Sequence, residues 1–211
     1  MEEIEQGERL REWLRQNGTT ILTGIVAGIA LIFGFNWWQD RQVQLGFAAG
    51  SEYQRLVLAA DQGQSDVARA HGDVILRDHA GSPYAVLAAL RLASIHNQAG
   101  EPAEAVALLQ RARGKNSDPA LDDLLGLREA RIHHALGDHE RALALLDGVG
   151  REYAPMAKEL KGDVLLALGR ESEALAAYRE AFEALEPGEP ARGLLEFKLA
   201  NLGETVDAPE A

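Results

Sequence analysis

The chain has 211 residues, no cysteine and a net charge of −12. Disulfides, cysteine-ligated clusters and thiol catalysis are therefore excluded, and a broad basic face of the kind that holds nucleic acid is not available; no nucleic-acid partner is expected. Beyond residue 40, Ala, Leu, Glu and Arg dominate, while β-branched and aromatic residues are sparse, which favours helices over sheet.

Residues 1–16 hold five glutamates and three arginines, so they carry −2 of the net charge and the remainder carries −10. Ile4, Leu10, Trp13 and Leu14 spaced among those charges predict a short amphipathic helix. From Asn17 to Gln39 the chain reads NGTTILTGIVAGIALIFGFNWWQ, and no side chain between Arg15 and Asp40 ionises. As a helix, Thr19 to Trp38 is about 30 Å long, the thickness of a bilayer's hydrocarbon core. It has no polar stripe, so it reads as a transmembrane helix rather than a core helix. Trp37 and Trp38 stand where the helix would leave the hydrocarbon, in the headgroup layer that tryptophan prefers. Thr20, Gly24 and Gly28 form a small-residue ridge against which a second membrane helix can pack. A cleaved signal peptide is the alternative, with Gly46 and Ala48 as a small-residue pair. The apolar run is longer than the ~7–15 residues of a signal's hydrophobic region and follows an acidic segment, which favours an uncleaved anchor. Arg9, Arg11 and Arg15 precede the span and Arg41 alone follows it closely. That bias puts the N-terminus in the cytoplasm and the bulk of the chain across the membrane.

From Asp40 to Ala60 the apolar positions Val43, Phe47, Gly50, Tyr53, Leu56, Val57 and Ala60 predict another helix with one apolar face. The membrane helix is expected to run into it or to bend near Gln39 to Gln44. A repeat follows. Gly63, Gly100, Gly137 and Gly169 recur at intervals of 37, 37 and 32, each followed five residues later by alanine: Ala68, Ala105, Ala142 and Ala174. The clearest copies are QAGEPAEAVALLQRA, ALGDHERALALLDGV and ALGRESEALAAYREA. In each, the glycine can take the left-handed conformation that ends one helix, the polar residues after it start the next, and the alanine lets the two helices approach.

This pattern resembles the tetratricopeptide repeat. Leu92, Ala93, Ala105, Leu109 and Ala112 match its positions around Gly100; Ala130, Ala142 and Leu146 match around Gly137. Gly162, Ala174, Tyr178 and Ala181 match around Gly169, closing at Leu185-Glu186-Pro187. The first copy keeps Gly63, Ala68 and Ile75 but has Gly72 where a bulky residue is usual. The family's early tryptophan and first-helix aromatic are missing, and the period departs from the family's 34 residues. Gly81-Ser82-Pro83 and Ser117-Asp118-Pro119 read as turns between repeats, and Pro155 as a helix start. After a break at Glu186 to Pro190, Leu194, Leu195, Phe197, Leu199 and Leu202 predict a terminal helix that caps the stack.

The expected fold is all-α: one N-terminal transmembrane helix, then a tetratricopeptide-like solenoid of about four helix hairpins with a C-terminal capping helix. The expected limits are 1–16 for a cytoplasmic segment, 17–39 for the span, 40–203 for a periplasmic repeat domain and 204–211 for a disordered tail.

Phosphate-loop, GxSxG and HExxH motifs are absent, and no nucleophile or acid–base pair converges, so neither enzyme activity nor a cofactor is expected. His134 and Asp138 are four apart and could share a metal, but Gly137 ends the helix between them, so packing or surface roles are preferred. Asp122, Asp123, Glu171 and Glu173 read as solvated or capping carboxylates. What remains is a binding surface on the first helix of each pair. Tyr53, Leu90, Asn97, Gln98, Leu127, Arg131, His134 and Asp163 are the candidates for it, a mixed apolar and polar groove suited to an unfolded or extended polypeptide.

The order of parts, with REWLRQNG before the span and LLEFKLANL near the end, resembles the YfgM-type ancillary subunits of the bacterial SecYEG translocon. That resemblance implies an inner-membrane protein with a periplasmic repeat domain. It further implies partnership with SecYEG and a PpiD-like periplasmic chaperone, and a part in handing over unfolded secreted polypeptides. A general scaffold for envelope assembly, or a regulator acting through the cytoplasmic N-terminus, are the alternatives. Replacing Gly24 and Gly28 together by leucine is expected to weaken helix association in the membrane, measured by energy transfer between labelled copies and partners in lipid; unchanged association would remove the small-residue ridge as a contact.

Overall fold

The structure, a computed structural model, describes the backbone of residues 2–115 and 118–204. Residues 1, 116, 117 and 205–211, and the side chains of 2–12, 14–16, 20, 21, 40, 42 and 45, lie outside the described residues. Ile4, Leu10, Leu14 and Thr20 of the sequence reading fall in that set for their side chains, as do Ser117 and most of the expected tail.

Among the described residues the chain forms nine α-helices, one 3-10 turn at Arg151–Tyr153 and no strand. The helices are α1 (Glu2–Asp61), α2 (Ser65–Asp78), α3 (Pro83–Gln98), α4 (Pro102–Arg113), α5 (Pro119–Ala135), α6 (His139–Leu146), α7 (Ala154–Ala167), α8 (Glu171–Glu183) and α9 (Pro190–Asn201). The chain divides into two compact units, Met1–Ala48 and Ala49–Ala211.

In the first unit the stretch Asn17–Gln39 is long and apolar enough to cross a membrane, with mean hydropathy 2.0 and none of it buried. Two of its polar side chains bond back to the helix's own carbonyls. Thr23 Oγ1 donates to the Thr19 carbonyl at 2.7 Å, and Asn17 Nδ2 donates to that of Trp13 at 3.0 Å. A lipid environment requires such internal pairing. A Cβ placed on Gly24 or Gly28 would meet nothing, so the notch they make is open within this chain. Beyond the span, Val43 and Phe47 are 51% and 76% exposed. The expected apolar face of residues 40–60 is therefore packed only from Ala49 and Leu56 onward, both fully buried.

The second unit consists of four hairpins and a cap. The last turns of α1 pair with α2 through Leu56, Ala68 and Ile75; α3 pairs with α4, α5 with α6 and α7 with α8, and α9 lies against α8. Each hairpin closes in the same way. Gly63, Gly100, Gly137 and Gly169 have φ of 73°, 78°, 80° and 72°. In each case the following N–H reaches the carbonyl five residues back, as in Glu101 N to His96 O and Arg170 N to Leu165 O, both 2.9 Å. This is the glycine-terminated helix end that leaves no buried carbonyl unpaired. Ala68, Ala105, Ala142 and Ala174 then sit at 0% exposure where the second helix meets the first.

The second helices start directly after the glycines, as expected. The residue after each glycine is the N-cap, but its side chain caps nothing. Glu101 and Asp138 turn back instead to His96 and His133, at 2.6 and 3.1 Å. Asp118 does cap α5, accepting from Ala120 N and Leu121 N. Pro83, Pro119 and Pro155 open α3, α5 and α7 as their fixed φ allows.

The core is segmented. One apolar cluster joins α1, α2 and α3 through Leu56, Ile75 and Leu92, and a second joins α3, α4 and α5 through Leu109 and Leu125. A third runs from α5 to α9 around Leu160, Tyr178 and Leu199. Ion pairs stitch the same junctions: Arg69 to Glu101, Arg91 to Asp61, Arg113 to Asp122, and Lys161 to Asp147. Asp122 is thus a bridging carboxylate, not a free one, and Glu173 likewise holds Arg170 at 2.7 Å. Exposed pairs contribute at most about 1 kcal/mol each, while a buried leucine contributes about 1.5–3 kcal/mol. The apolar clusters hold the stack, and the ion pairs fix which hairpin meets which. Glu129, 1% exposed, accepts from Gln110 Nε2 at 2.7 Å and lies 3.4 Å from Arg113 Nη1, so its charge is matched across the α4–α5 junction.

Two glycines serve close approach. Gly72, odd in the repeat pattern, lies under Leu92, whose Cδ1 would be 2.6 Å from an added Cβ. The bulk missing from α2 is supplied by α3. Gly162 receives the Tyr178 ring, with Cε1 at 2.3 Å from such a Cβ. At the cap, Leu195 and Leu199 are buried, but Leu194 and Phe197 are 48% and 63% exposed, so only part of the expected apolar face closes the stack. Glu204, expected to open the tail, accepts from Arg179 Nε at 2.8 Å and belongs to the fold.

Gly162→Ala is expected to lower stability by about 1–3 kcal/mol through overpacking. Gly193→Ala, where an added Cβ meets nothing, is expected to raise it by about 0.5–1 kcal/mol through helix propensity. Thermal unfolding followed by circular dichroism measures both; equal shifts would mean Gly162 is not a packing notch.

Candidate binding groove

The first helices of successive hairpins stand side by side, and the side chains between them are left to line a groove. The groove formed by the last turns of α1 with α3 and α5 has a volume of about 400 Å³. Tyr53 comes from α1, Leu90, Arg91, Ser94 and Asn97 from α3, and Leu124, Arg128 and Arg131 from α5. The spacing of three and four residues puts each set on one helix face. Tyr53 is held by Tyr84, with ring centroids 5.7 Å apart, and Tyr84 in turn rests on Gly50, whose added Cβ would meet its hydroxyl at 3.1 Å. Arg91 is paired with Asp61, while Arg128 and Arg131 are exposed on α5.

Of the sequence candidates, Tyr53, Leu90, Asn97 and Arg131 line this groove together. Gln98 is exposed and donates to Ser94 Oγ at 3.3 Å. Leu127 does not belong on a binding face: it is 2% exposed and packed in the cluster running to α9, because it lies on the side of α5 turned toward α6 and α7. Sequence reasoning passed over Arg91, Ser94 and Arg128, although Arg128 stands three residues before Arg131 and so shares its face.

His134 and Asp163 lie apart from the groove. Asp163 accepts from Tyr178 Oη at 2.7 Å and from Lys198 Nζ at 2.6 Å, and Lys198 also donates to Glu159 at 2.8 Å. These bonds tie α7, α8 and α9 together. His134 Nδ1 lies 3.2 Å from His139 Nδ1, and Asp138 goes to His133, so the pairing of His134 with Asp138 does not form. Among the described residues no group of three or more His, Cys, Asp or Glu side chains could hold a metal.

Burial, and then the bond to Asp163, push the Tyr178 phenol above its ordinary range, so it stays a donor. Burial first, and then the neighbouring His139, hold His134 below the ordinary histidine value of 6.5; Lys198 adds to this and Asp163 opposes it.

The tetratricopeptide repeat-like domain model matches residues 11–204. The chain belongs to the tetratricopeptide repeat-like family. Three relatives of this repeat protein carry the name ancillary SecYEG translocon subunit. That of Escherichia coli (strain K12) is 29% identical over 177 residues, 83% of this chain and 85% of the relative. That of Haemophilus influenzae (strain ATCC 51907 / DSM 11121 / KW20 / Rd) is 26% identical over 86% of this chain and 89% of the relative. That of Aggregatibacter actinomycetemcomitans is 28% identical over 96% and 98%. The resemblance drawn from the order of parts in the sequence is thus to the same group of proteins. The crystal structure of MamA superposes with a TM-score of 0.51 at 17% identity, over 68% of this chain and 85% of that one, and shares the fold alone. A translocon-subunit kinship and one candidate span are consistent with a single-pass inner-membrane protein.

Because His134 is depressed, protonating it costs the folded state. Its contribution is neutral above about pH 6.5 and becomes destabilising as pH falls below that value, levelling off once folded His134 is itself charged. Melting temperature measured from about pH 7.5 to about pH 5 is expected to fall less in His134→Gln than in the unaltered protein; parallel curves would remove His134 as the source.

Proposed function

We propose that this chain is a non-enzymatic, membrane-anchored protein-binding module, an ancillary subunit of the SecYEG translocon. In this reading it helps pass emerging secreted polypeptides to a PpiD-like periplasmic chaperone. Residues 1–16 lie in the cytoplasm, 17–39 cross the inner membrane, and 40–203 form a periplasmic repeat domain that offers the groove of Tyr53, Leu90, Asn97 and Arg131 to extended chains. The tail follows the cap. The observation that carries this reading is the match over 203 residues, 96% of this chain and 98% of the relative, to a protein named as an ancillary SecYEG translocon subunit. The positive-inside bias of Arg9, Arg11 and Arg15 supports the orientation. A groove with apolar and polar lining and no converging acid–base pair supports binding rather than catalysis.

Photocrosslinkers placed at Leu90, Asn97 and Arg131 in intact cells, followed by tag purification in mild detergent, test the role. Translocon subunits are expected in the purified material, and nascent secreted chains in the crosslinks. Recovery of other envelope proteins without any translocon subunit would replace this reading with the general scaffold. Digestion of the repeat domain by protease added from the cytoplasmic side would reverse the orientation.

A further inference from the structure

The groove between α1, α3 and α5 has one sign of charge. Arg91, Arg128 and Arg131 stand on its walls, and among the described residues no carboxylate lines it, although the whole chain carries −12. Most other cations of the repeat domain are paired within the fold, among them Arg113 to Asp122, Lys198 to Glu159 and Asp163, and Arg179 to Glu204. Arg91 is likewise held by Asp61. Arg128 and Arg131 are both exposed, and neither has an ion-pair partner among the described residues; Arg111, Lys115, Arg141 and Arg151 share that state but lie outside the groove. They stand three residues apart on α5, so the two guanidinium groups share one wall. Two like charges held together repel, and an anion placed between them relieves that repulsion. Guanidinium groups are planar donors that match a carboxylate's two oxygens.

The floor between these arginines and Tyr53 is apolar, with Leu87, Leu90 and Leu124. Packed helices lie about 8–10 Å apart, so a ligand crossing three of them spans about 20 Å. At about 3.3 Å per residue that is roughly six residues of extended chain. We infer that the groove selects an extended polypeptide segment in which acidic side chains alternate with apolar ones. The carboxylates meet Arg128 and Arg131, and the apolar side chains rest on the leucine floor beside Tyr53. This rests on the proposed binding role and narrows its partner to one chemical class.

The test uses the full chain in nanodiscs of neutral lipid and three fluorescent peptides of about nine residues. One alternates Glu or Asp with Leu, the second carries Gln or Asn in place of the acids, and the third carries Lys. Fluorescence anisotropy is expected to show the acidic peptide bound, the neutral one about tenfold weaker and the basic one unbound. Arg128→Gln with Arg131→Gln is expected to weaken the acidic peptide about tenfold and leave the neutral one unchanged, with an unaltered melting temperature because both side chains are exposed. Equal binding of all three peptides, no binding of the acidic one, or full binding by the double variant would overturn the inference. So would acidic binding that arises only after truncation beyond Glu204, since the groove would then belong to the chain's own acidic C-terminus. Recovery of translocon subunits with equal peptide binding would remove the selectivity alone and leave the proposed role standing.

Discussion

The repeat domain depends on one local event, the reversal of the chain at a left-handed glycine. A helix that ends at such a residue can pair its last carbonyls internally and send the next helix back along its own side. The alanine five residues on is what makes that return path short. At zero exposure it leaves no side chain to hold the helices apart. Turn and contact are coupled by a fixed separation along the chain, so each hairpin is specified almost entirely from within itself.

Hairpins alone would not stack in a defined order. Their junctions are held by separate apolar clusters rather than by one continuous core. The ion pairs between neighbours are too exposed to add much energy, but they discriminate between partners. Glu129 is the strongest instance, because a carboxylate taken out of water is tolerated only where Gln110 and Arg113 come to it from the neighbouring helix. Register is therefore imposed by the cost of leaving that group unmatched.

The same arrangement separates the groups that hold the stack from those left free to bind. Toward the C-terminus Glu159, Asp163, Tyr178 and Lys198 of α7, α8 and α9 bond one another, with Lys198, Asp163 and Tyr178 at the centre of that lock. Between α1, α3 and α5 the facing side chains are only partly used by the fold, and the groove lies there. Arg128 and Arg131 keep their charge available where Asp163 and His134 do not.

The sequence by itself determined the apolar span, the four glycine turns, the small alanines and the all-helical class. Each of these is set by residues close together in the chain: hydrophobic length, a backbone angle that only glycine takes cheaply, and helical spacing. Four of the twelve residues that line the groove, Tyr53, Leu90, Asn97 and Arg131, follow from repeat position on the same ground. The tertiary structure decided what depended on a neighbour far along the chain. Leu127 faces the core because α6 and α7 cover its side of α5, and Gly72 is filled because Leu92 of the next hairpin projects into it. Asp163 is taken by Lys198, thirty-five residues away, and Glu204 is drawn into the fold by Arg179. Periodicity says which side of a helix is apolar or polar, but which neighbour meets that side is set only when the hairpins stack.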